Sequence, residues 1–141
     1  MKPEIPEHFY RVSVKGLILD ETRTKFLVTQ EDDGHFELPG GGKEHLELPQ
    51  DCLRREIREE MGLETTWIAE NPSFFLTFNK RLDKDFWLAN ILYEAKLASL
   101  AFTPSDECIA IRFVTAEEAL ALTAYENVYK LAKLFQKSQE K

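Results

Sequence analysis

The chain is poor in the features that stabilise secreted proteins or anchor membrane proteins. It has two cysteines in 141 residues, Cys52 and Cys108, and neither lies in a pattern typical of an activated thiol or a disulfide framework. No apolar run approaches the length of a membrane-spanning helix. Residues Met1–Pro6 also lack the apolar stretch of a signal peptide. We therefore expect a cytoplasmic protein with no membrane partner, in which both cysteines are reduced packing residues.

Positive charge is also in short supply. The 18 lysines and arginines are outnumbered by 25 aspartates and glutamates, which gives a net charge of −7. This balance argues against broad electrostatic binding to a nucleic acid polymer or an anionic membrane. An acidic protein that binds phosphate groups needs a metal cation to bridge them. With 43% hydrophobic and 30% charged residues, the composition is ordinary for a globular protein, and we expect one domain over residues 1–141.

The hydrophobic pattern predicts an α+β order of elements. Strands are predicted at residues 10–19, 26–29, 35–38, 66–78, 86–97 and 109–114. Helices are predicted at about residues 50–61, 115–122 and around 128–135. The second of these helices begins with a capping box, in which Thr115 is followed three residues later by Glu118. Residues 98–107 are predicted to form a loop.

A glycine-rich turn directly precedes the first predicted helix. The segment Leu38–Gly42 ends in three consecutive glycines, so its backbone can take positive φ and approach a ligand closely. Pro49 is suited to the start of a helix and Gly62 to its end. Between them an apolar residue recurs every four positions, at Leu53, Ile57 and Met61. This spacing predicts a helix with one face on the core.

The acidic residues of this helix oppose its local preferences. Glu56, Glu59 and Glu60 fall on one arc at three- and four-residue spacing, so their charges repel. Glu59 and Glu60 also lie in the last turn, where the helix dipole disfavours anions. Sequences that break a local rule often do so at a functional site. The alternative is a solvated acidic face, eased by an ion pair between Arg55 and Glu59.

Together, the glycines and the acidic helix resemble a known motif. Residues Gly41–Leu63 match the Nudix box, Gly-x5-Glu-x7-Arg-Glu-U-x-Glu-Glu-x-Gly-U with U aliphatic, at every specified position. The flanking segments Phe36–Gly40, Ile111–Val114 and Thr115–Glu118 also look like this family. One departure is Leu46, which stands before the first box glutamate where many relatives have glycine. The chain is thus identified by resemblance as a Nudix hydrolase. This implies an α+β fold with a mixed β-sheet flanked by helices and a loop–helix–loop box.

The resemblance implies a metal-dependent hydrolase. Its substrates are nucleoside diphosphates linked to another moiety, and the diphosphate linkage is cleaved. The implied cofactor is Mg²⁺ or Mn²⁺, a hard cation that prefers oxygen ligands. The implied ligands are the carboxylates of Glu56, Glu59 and Glu60 and the backbone carbonyl of Gly40. The bound metal would neutralise diphosphate oxygens and lower the pKa of the attacking water.

The resemblance also implies roles for other charged residues. Arg55 would orient the box glutamates, and Glu47 would stabilise the junction of loop and helix. The general base would be either Glu56 from the box or Glu107 from the later segment Ser105–Glu107. A solvated loop charge is the alternative for Glu107. The expected catalytic set is therefore Glu56, Glu60, Arg55 and Glu107.

Substrate contacts are expected from the loop and from the middle of the chain. The candidates are Gly41, Gly42, Phe78, Lys80 and Arg81. Aromatic rings can stack on a base, but we expect most of the aromatic residues on the middle strands to be core. Equally, Lys80 and Arg81 can be a solvated hairpin tip. Oligomeric state is left open between monomer and homodimer.

Residues 76–88 bear on which small-molecule nucleotide is the substrate. They contain neither the proline nor the tyrosine that family signatures for ADP-ribose and dinucleoside polyphosphates place downstream of the box. We therefore expect a nucleoside or deoxynucleoside triphosphate. Another nucleotide-diphosphate compound, such as a nucleotide sugar, is the alternative. A non-catalytic nucleotide-binding module is a further one, although the box keeps all its carboxylates.

Overall fold

The computed structural model describes residues 10–79 and 87–140, which form eight strands and three helices. In chain order these are β1 (Tyr10–Leu17), β2 (Phe26–Gln30), β3 (Phe36–Glu37), β4 (Gly40–Gly42), α1 (Pro49–Met61), β5 (Thr65–Ile68), β6 (Phe74–Phe78), β7 (Trp87–Leu97), β8 (Ala110–Val114), α2 (Ala116–Leu120) and α3 (Glu126–Gln139). The predicted α+β order is confirmed.

The strands form two sheets. The larger has the order β4-β1-β7-β5, with β6 also paired to β7, and the smaller has the order β3-β2-β8. Strands β1 and β7 run parallel, whereas β4, β5 and β6 pair antiparallel with their neighbours. The larger sheet is therefore mixed, as the resemblance implied.

Two apolar clusters hold the helices against the strands. One joins α1 residues to Val14, Leu27 and Tyr93, and the other joins α2 and α3 to Phe26, Val28 and Leu92. Adjacent strand residues thus fall in different clusters, because side chains alternate between the two faces of a strand. This arrangement produces the predicted mixed sheet flanked by helices.

Two predictions for the strands were wrong. The long strand expected at residues 66–78 is two strands, β5 and β6, which pair with different parts of β7. Pro72 lies in the break, where its lack of an N–H prevents a continuous ladder. The glycines expected in a loop form β4 beside β1. Gly40 allows this approach, because its φ is 121° and a Cβ there would lie 2.1 Å from the Val14 carbonyl oxygen.

The predictions for the start of α2 and for the burial of the cysteines agree with the structure. The capping box between Thr115 and Glu118 is present at the start of α2, although this helix ends at Leu120. Cys52 and Cys108 are buried and form no disulfide bond, and burial raises the pKa of both thiols to about 11. No helix in the described part of the chain is long and apolar enough to cross a membrane.

Candidate active site

Helix α1 carries the acidic residues into the site. It begins at Pro49 and is followed by Gly62 in the left-handed conformation, whose N–H donates to the Arg58 carbonyl oxygen at 2.9 Å. Both predicted boundary signals are therefore confirmed. Glu60 follows Ile57 by three residues, so it shares the buried face of the helix and is only 5% exposed.

Three carboxylates meet at one end of this helix. Glu56, Glu60 and Glu107 each offer an oxygen, and the three oxygens lie within 4.8 Å of one another. Glu107 comes from the loop before β8, which is hydrogen-bonded to the end of α1. The Ser105 hydroxyl donates to the Glu60 carbonyl oxygen at 2.6 Å, and the Thr103 N–H donates to that of Met61 at 2.7 Å. These contacts place Glu107, an exposed residue, beside the two box glutamates.

The electrostatics of this group favour a bound cation. Burial raises the pKa of Glu60 to about 8, Lys15 lowers it, and the charges of Glu56 and Glu107 raise it further. Burial also raises the pKa of Glu56, against the opposing effect of Arg55. Carboxylates so close together resist ionising together. A divalent cation would remove that resistance, and three carboxylate oxygens are a donor set that suits Mg²⁺ or Mn²⁺.

The glycines of β4 make room for charged side chains. A Cβ at Gly41 would lie 2.4 Å from the Glu56 Oε2 atom, and a Cβ at Gly42 would lie 2.6 Å from the Arg11 Nη2 atom. Backbone hydrogen bonding from Gly40 also lowers the pKa of Glu60. The glycine run therefore lets one side chain from α1 and one from β1 come close to the backbone.

Arg55 links the loop to the helix. Its Nε and Nη2 atoms donate to the two carboxylate oxygens of Glu47 at 2.8 and 3.0 Å, and its Nη1 atom donates to Glu56 at 2.8 Å. The Nη2 atom also donates to the Gly42 carbonyl oxygen at 3.0 Å. The bonds from Arg55, with the bond from the Glu44 backbone N–H, lower the pKa of Glu47 to about 2. The orienting role of Arg55 and the stabilising role of Glu47 stay predictions, and this geometry suits both.

Glu59 lies apart from the three clustered carboxylates. Its side chain is 59% exposed and pairs with the Arg55 Nη1 atom at 3.3 Å. The ion pair that we considered as an alternative is therefore present. Glu59 as a metal ligand stays a prediction.

The acidic group lines one side of a cleft of about 600 Å³, a size typical of small-ligand sites. The floor comes from β1, β6 and β7 and consists of Arg11, Ser13, Lys15, Phe78, Leu88 and Asn90. The remaining lining residues, which are not part of α1, include Glu31, Glu37, Tyr125 and Asn127. Of the predicted substrate residues, Gly41, Gly42 and Phe78 line this cleft, although Phe78 is only 4% exposed. Lys80 and Arg81 lie outside the described residues.

The structure adds buried polar residues that we did not single out from the sequence. The Lys15 Nζ atom donates to the carbonyl oxygens of Gly40 at 3.0 Å and Leu38 at 3.3 Å. Asn127 donates from Nδ2 to Asn90 at 2.8 Å. The alternation of polar residues at 11, 13 and 15 within a predicted strand was a usable signal. Nothing local marks Asn90 or Asn127, because distant segments bring them together.

The aromatic residues of the middle strands divide between core and surface. Phe78 is buried and Phe74 packs against the cluster formed with α2 and α3. The expectation of a core position is wrong for Phe75, which is 62% exposed, and for Trp87, which is 39% exposed. Phe75 alternates to the opposite face of β6 from Phe74, so it does not reach that cluster. Phe86 lies outside the described residues.

Comparison with known sequences identifies relatives over most of the chain. The family model of the NUDIX domain matches residues 9–135. The nucleoside triphosphatase NudI of Enterobacter sp. (strain 638) is 30% identical over 99 residues, which cover 66% of this chain and 70% of that protein. The mRNA-decapping protein D10 of Fowlpox virus (strain NVSL) is 31% identical over 99 residues, or 65% of this chain. That match covers 44% of the viral protein, so the chain spans less than half of its length.

Solved structures share the fold. The MutT protein from Methanosarcina mazei Go1 has a TM-score of 0.78 at 22% identity, with 97% of this chain and 100% of that chain covered. A UDP-X diphosphatase has a TM-score of 0.70 at 18% identity, with 98% and 68% covered. At these identities the likeness concerns the mixed sheet and its flanking helices alone.

Proposed function

This chain belongs to the Nudix hydrolase family, and we propose that it acts as a pyrophosphohydrolase on a nucleoside or deoxynucleoside triphosphate, with Mg²⁺ or Mn²⁺ as cofactor. One observation carries the proposal: Glu56, Glu60 and Glu107 converge to within 4.8 Å at the edge of an open cleft. A merely solvated acidic face would not bury Glu60 or place a loop carboxylate against it.

In this proposal the metal is held by the three clustered carboxylates, with the Gly40 carbonyl oxygen and Glu59 as further candidate ligands. When bound, such a cation neutralises diphosphate oxygens and lowers the pKa of a water molecule. The protein fixes the donor oxygens in advance. Arg55 holds Glu56 at 2.8 Å, and Ser105 holds the Glu107 loop on the helix end. Placing these ligands before the substrate arrives reduces the reorganisation needed for reaction.

Two carboxylates are candidates for the base that takes the proton of the attacking water. Burial raises the pKa of Glu56, which suits a group that takes up a proton, and its bond to Arg55 opposes that rise. Glu107 is exposed and has no ion pair within the described part of the chain, so its oxygens are open to water. The variants Glu56→Gln and Glu107→Gln separate the two. Loss of the base removes the acidic limb of the pH–rate profile, whereas loss of a ligand raises the metal concentration required.

The triphosphate assignment rests on two supports. The NudI relative is named a nucleoside triphosphatase, and residues 76–88 contain neither the proline nor the tyrosine of the family signatures for ADP-ribose and dinucleoside polyphosphate substrates. A nucleotide sugar stays the alternative. A cytoplasmic location and a monomeric or dimeric state stay predictions.

The test is release of phosphate and pyrophosphate from a substrate panel with Mg²⁺ or Mn²⁺. The panel contains nucleoside and deoxynucleoside triphosphates, damaged deoxynucleotides, nucleotide sugars, ADP-ribose and capped RNA. Glu60→Gln is the inactivating variant, and Glu70→Gln, which neutralises an exposed carboxylate, is the matched control. We expect metal-dependent turnover of a triphosphate that is lost only in Glu60→Gln. Preference for another panel member would overturn the substrate assignment, and equal turnover by both variants would overturn the site.

A further inference from the structure

Strand β1 turns one row of side chains toward the cleft. Arg11, Ser13 and Lys15 line the floor, and we call them the β1 strip. Val14, which points to the opposite face of β1, packs instead in the cluster with α1. The strip therefore brings two cations into a cleft whose other charged side chains in the described residues are all carboxylates.

The Lys15 ammonium group is fixed at the inner end of the strip. Lys15 is 7% exposed, and its Nζ atom donates to the carbonyl oxygens of Gly40 and Leu38. The Glu37 carboxylate is 3.8 Å away, beyond hydrogen-bond distance. An ammonium group has three N–H donors, and the described residues accept from two of them, so the third can serve a ligand. Because Gly40 is also a candidate metal ligand, this donor lies next to the acidic group.

The Arg11 guanidinium group lies farther along the same strip. It has no ion pair or side-chain hydrogen bond among residues 10–79 and 87–140, and it reaches over Gly42, where a Cβ would lie 2.6 Å from Nη2. Gly40 and Gly42 are two residues apart on β4 and pair with Lys15 and Ser13. At about 3.4 Å per strand residue, Gly40 and Gly42 lie roughly 7 Å apart along β4, so the two cationic groups follow one another along the strand. A linear phosphate chain that lies along the strip can place one phosphate at each cationic group, whereas a single phosphate bound by Lys15 beside the acidic group occupies only the inner end.

We propose that the β1 strip is a two-point binding site for a linear phosphate chain, with Arg11 as the residue that distinguishes a polyphosphate from a monophosphate. Lys15 contacts the phosphate nearest the acidic group, and Arg11 contacts a phosphate farther along the chain. Arginine suits this role, because its planar guanidinium group can donate two parallel hydrogen bonds to phosphate oxygens. The inference rests on the proposed function and adds a determinant of its substrate class. Glu37, Glu56 and Glu60 also face the inner end, so we expect phosphate binding there to need the divalent cation.

The test is calorimetric binding of inorganic tripolyphosphate and of orthophosphate in the presence of Mg²⁺. We expect Arg11→Gln to weaken tripolyphosphate binding about tenfold, as for loss of one charge-assisted contact, and to change orthophosphate binding less than twofold. Arg11→Lys should recover part of the loss. The control is Arg54→Gln, which removes the same charge from an exposed position on α1 and should change neither affinity. Lys15→Gln, which keeps donors for the two carbonyl oxygens, should weaken binding of both anions.

Three outcomes would overturn the inference: an equal loss for both anions in Arg11→Gln, no loss for either, or wild-type protein that binds tripolyphosphate no more tightly than orthophosphate. Arg11 is exposed, so we expect its variants to fold, which a thermal melt checks. If Lys15→Gln fails to fold, the Arg11 comparison decides alone. Turnover of triphosphates with unchanged affinity in Arg11→Gln would refute the strip and leave the hydrolase proposal standing. Selective loss of tripolyphosphate binding in Arg11→Gln, with no turnover of any panel member by wild type, would support the strip and refute the hydrolase proposal.

Discussion

Replacing Glu60 by glutamine should stabilise the metal-free protein while it removes activity. Burial raises the pKa of Glu60 to about 8, from an ordinary value of 4.5. Between these two values the unfolded chain releases a proton that the folded protein retains. The contribution of Glu60 to the free energy of unfolding of the wild type therefore falls as the pH rises from about 4.5 to about 8. Glu60→Gln has no proton to release at this position, so its free energy of unfolding does not fall for this reason.

The magnitude follows from the interval between the two pKa values. At about 1.4 kcal/mol per pH unit, the variant should be about 3 kcal/mol more stable than wild type at pH 7. For a chain of this size, that corresponds to a rise in Tm of roughly 10 °C. At pH 4, where Glu60 is protonated in both states, the difference should vanish.

The assay is thermal and urea unfolding in a chelating buffer at pH 4 and pH 7, with Glu70→Gln as the control for neutralising a carboxylate. Addition of Mg²⁺ should then raise the Tm of the wild type and leave that of Glu60→Gln nearly unchanged. If Glu60→Gln is less stable than wild type at pH 7, or if its gain is the same at both pH values, then burial does not raise the pKa of Glu60 in the folded protein.

Three further substitutions test other parts of the account. Gly41→Ala places a Cβ 2.4 Å from the Glu56 Oε2 atom. Because the flexible carboxylate can move aside, we expect a change in stability below about 1 kcal/mol in urea unfolding, but at least a tenfold loss of metal-dependent turnover. Arg55→Lys cannot form the two parallel bonds to Glu47, so turnover should fall by about 10- to 100-fold, and wild-type turnover would exclude an orienting role. Thr115→Ala removes the cap of α2, a helix that does not line the cleft, and should cost about 1 kcal/mol in the same unfolding assay without changing kcat.

The parts of the fold that local chemistry determines could be predicted from the sequence. Pro49 and Gly62 set the bounds of α1, because one is suited to the first helical turn and the other takes the left-handed conformation after the last. The spacing of Thr115 and Glu118 predicted the capping box of α2 in the same way. The break between β5 and β6 was missed, since an apolar stretch alone does not show which part of a long partner strand each segment joins.

In the site too, local spacing could be predicted from the sequence, whereas positions that depend on tertiary contacts could not. The spacing of the box identified Glu56 and Glu60 as candidate site residues. The burial of Glu60, however, depends on the apolar residues packed around it. Glu107 was a candidate only through the family resemblance, because its position depends on hydrogen bonds between a distant loop and the end of α1. Lys15 and Asn127 lie on segments far apart in the chain and meet the cleft only in the folded protein. The alternation of polar residues at positions 11, 13 and 15 was a local signal for Lys15, whereas Asn127 has none.

The most direct test of the metal site is a titration of Mn²⁺ binding by electron paramagnetic resonance at neutral pH, with wild type, Glu60→Gln, Glu107→Gln and Glu70→Gln in one series. We expect wild type and Glu70→Gln to bind Mn²⁺ with the same affinity, and Glu60→Gln and Glu107→Gln to bind it at least tenfold more weakly. Unchanged affinity in both cluster variants would contradict the account, because it would place the metal somewhere other than between α1 and the Glu107 loop.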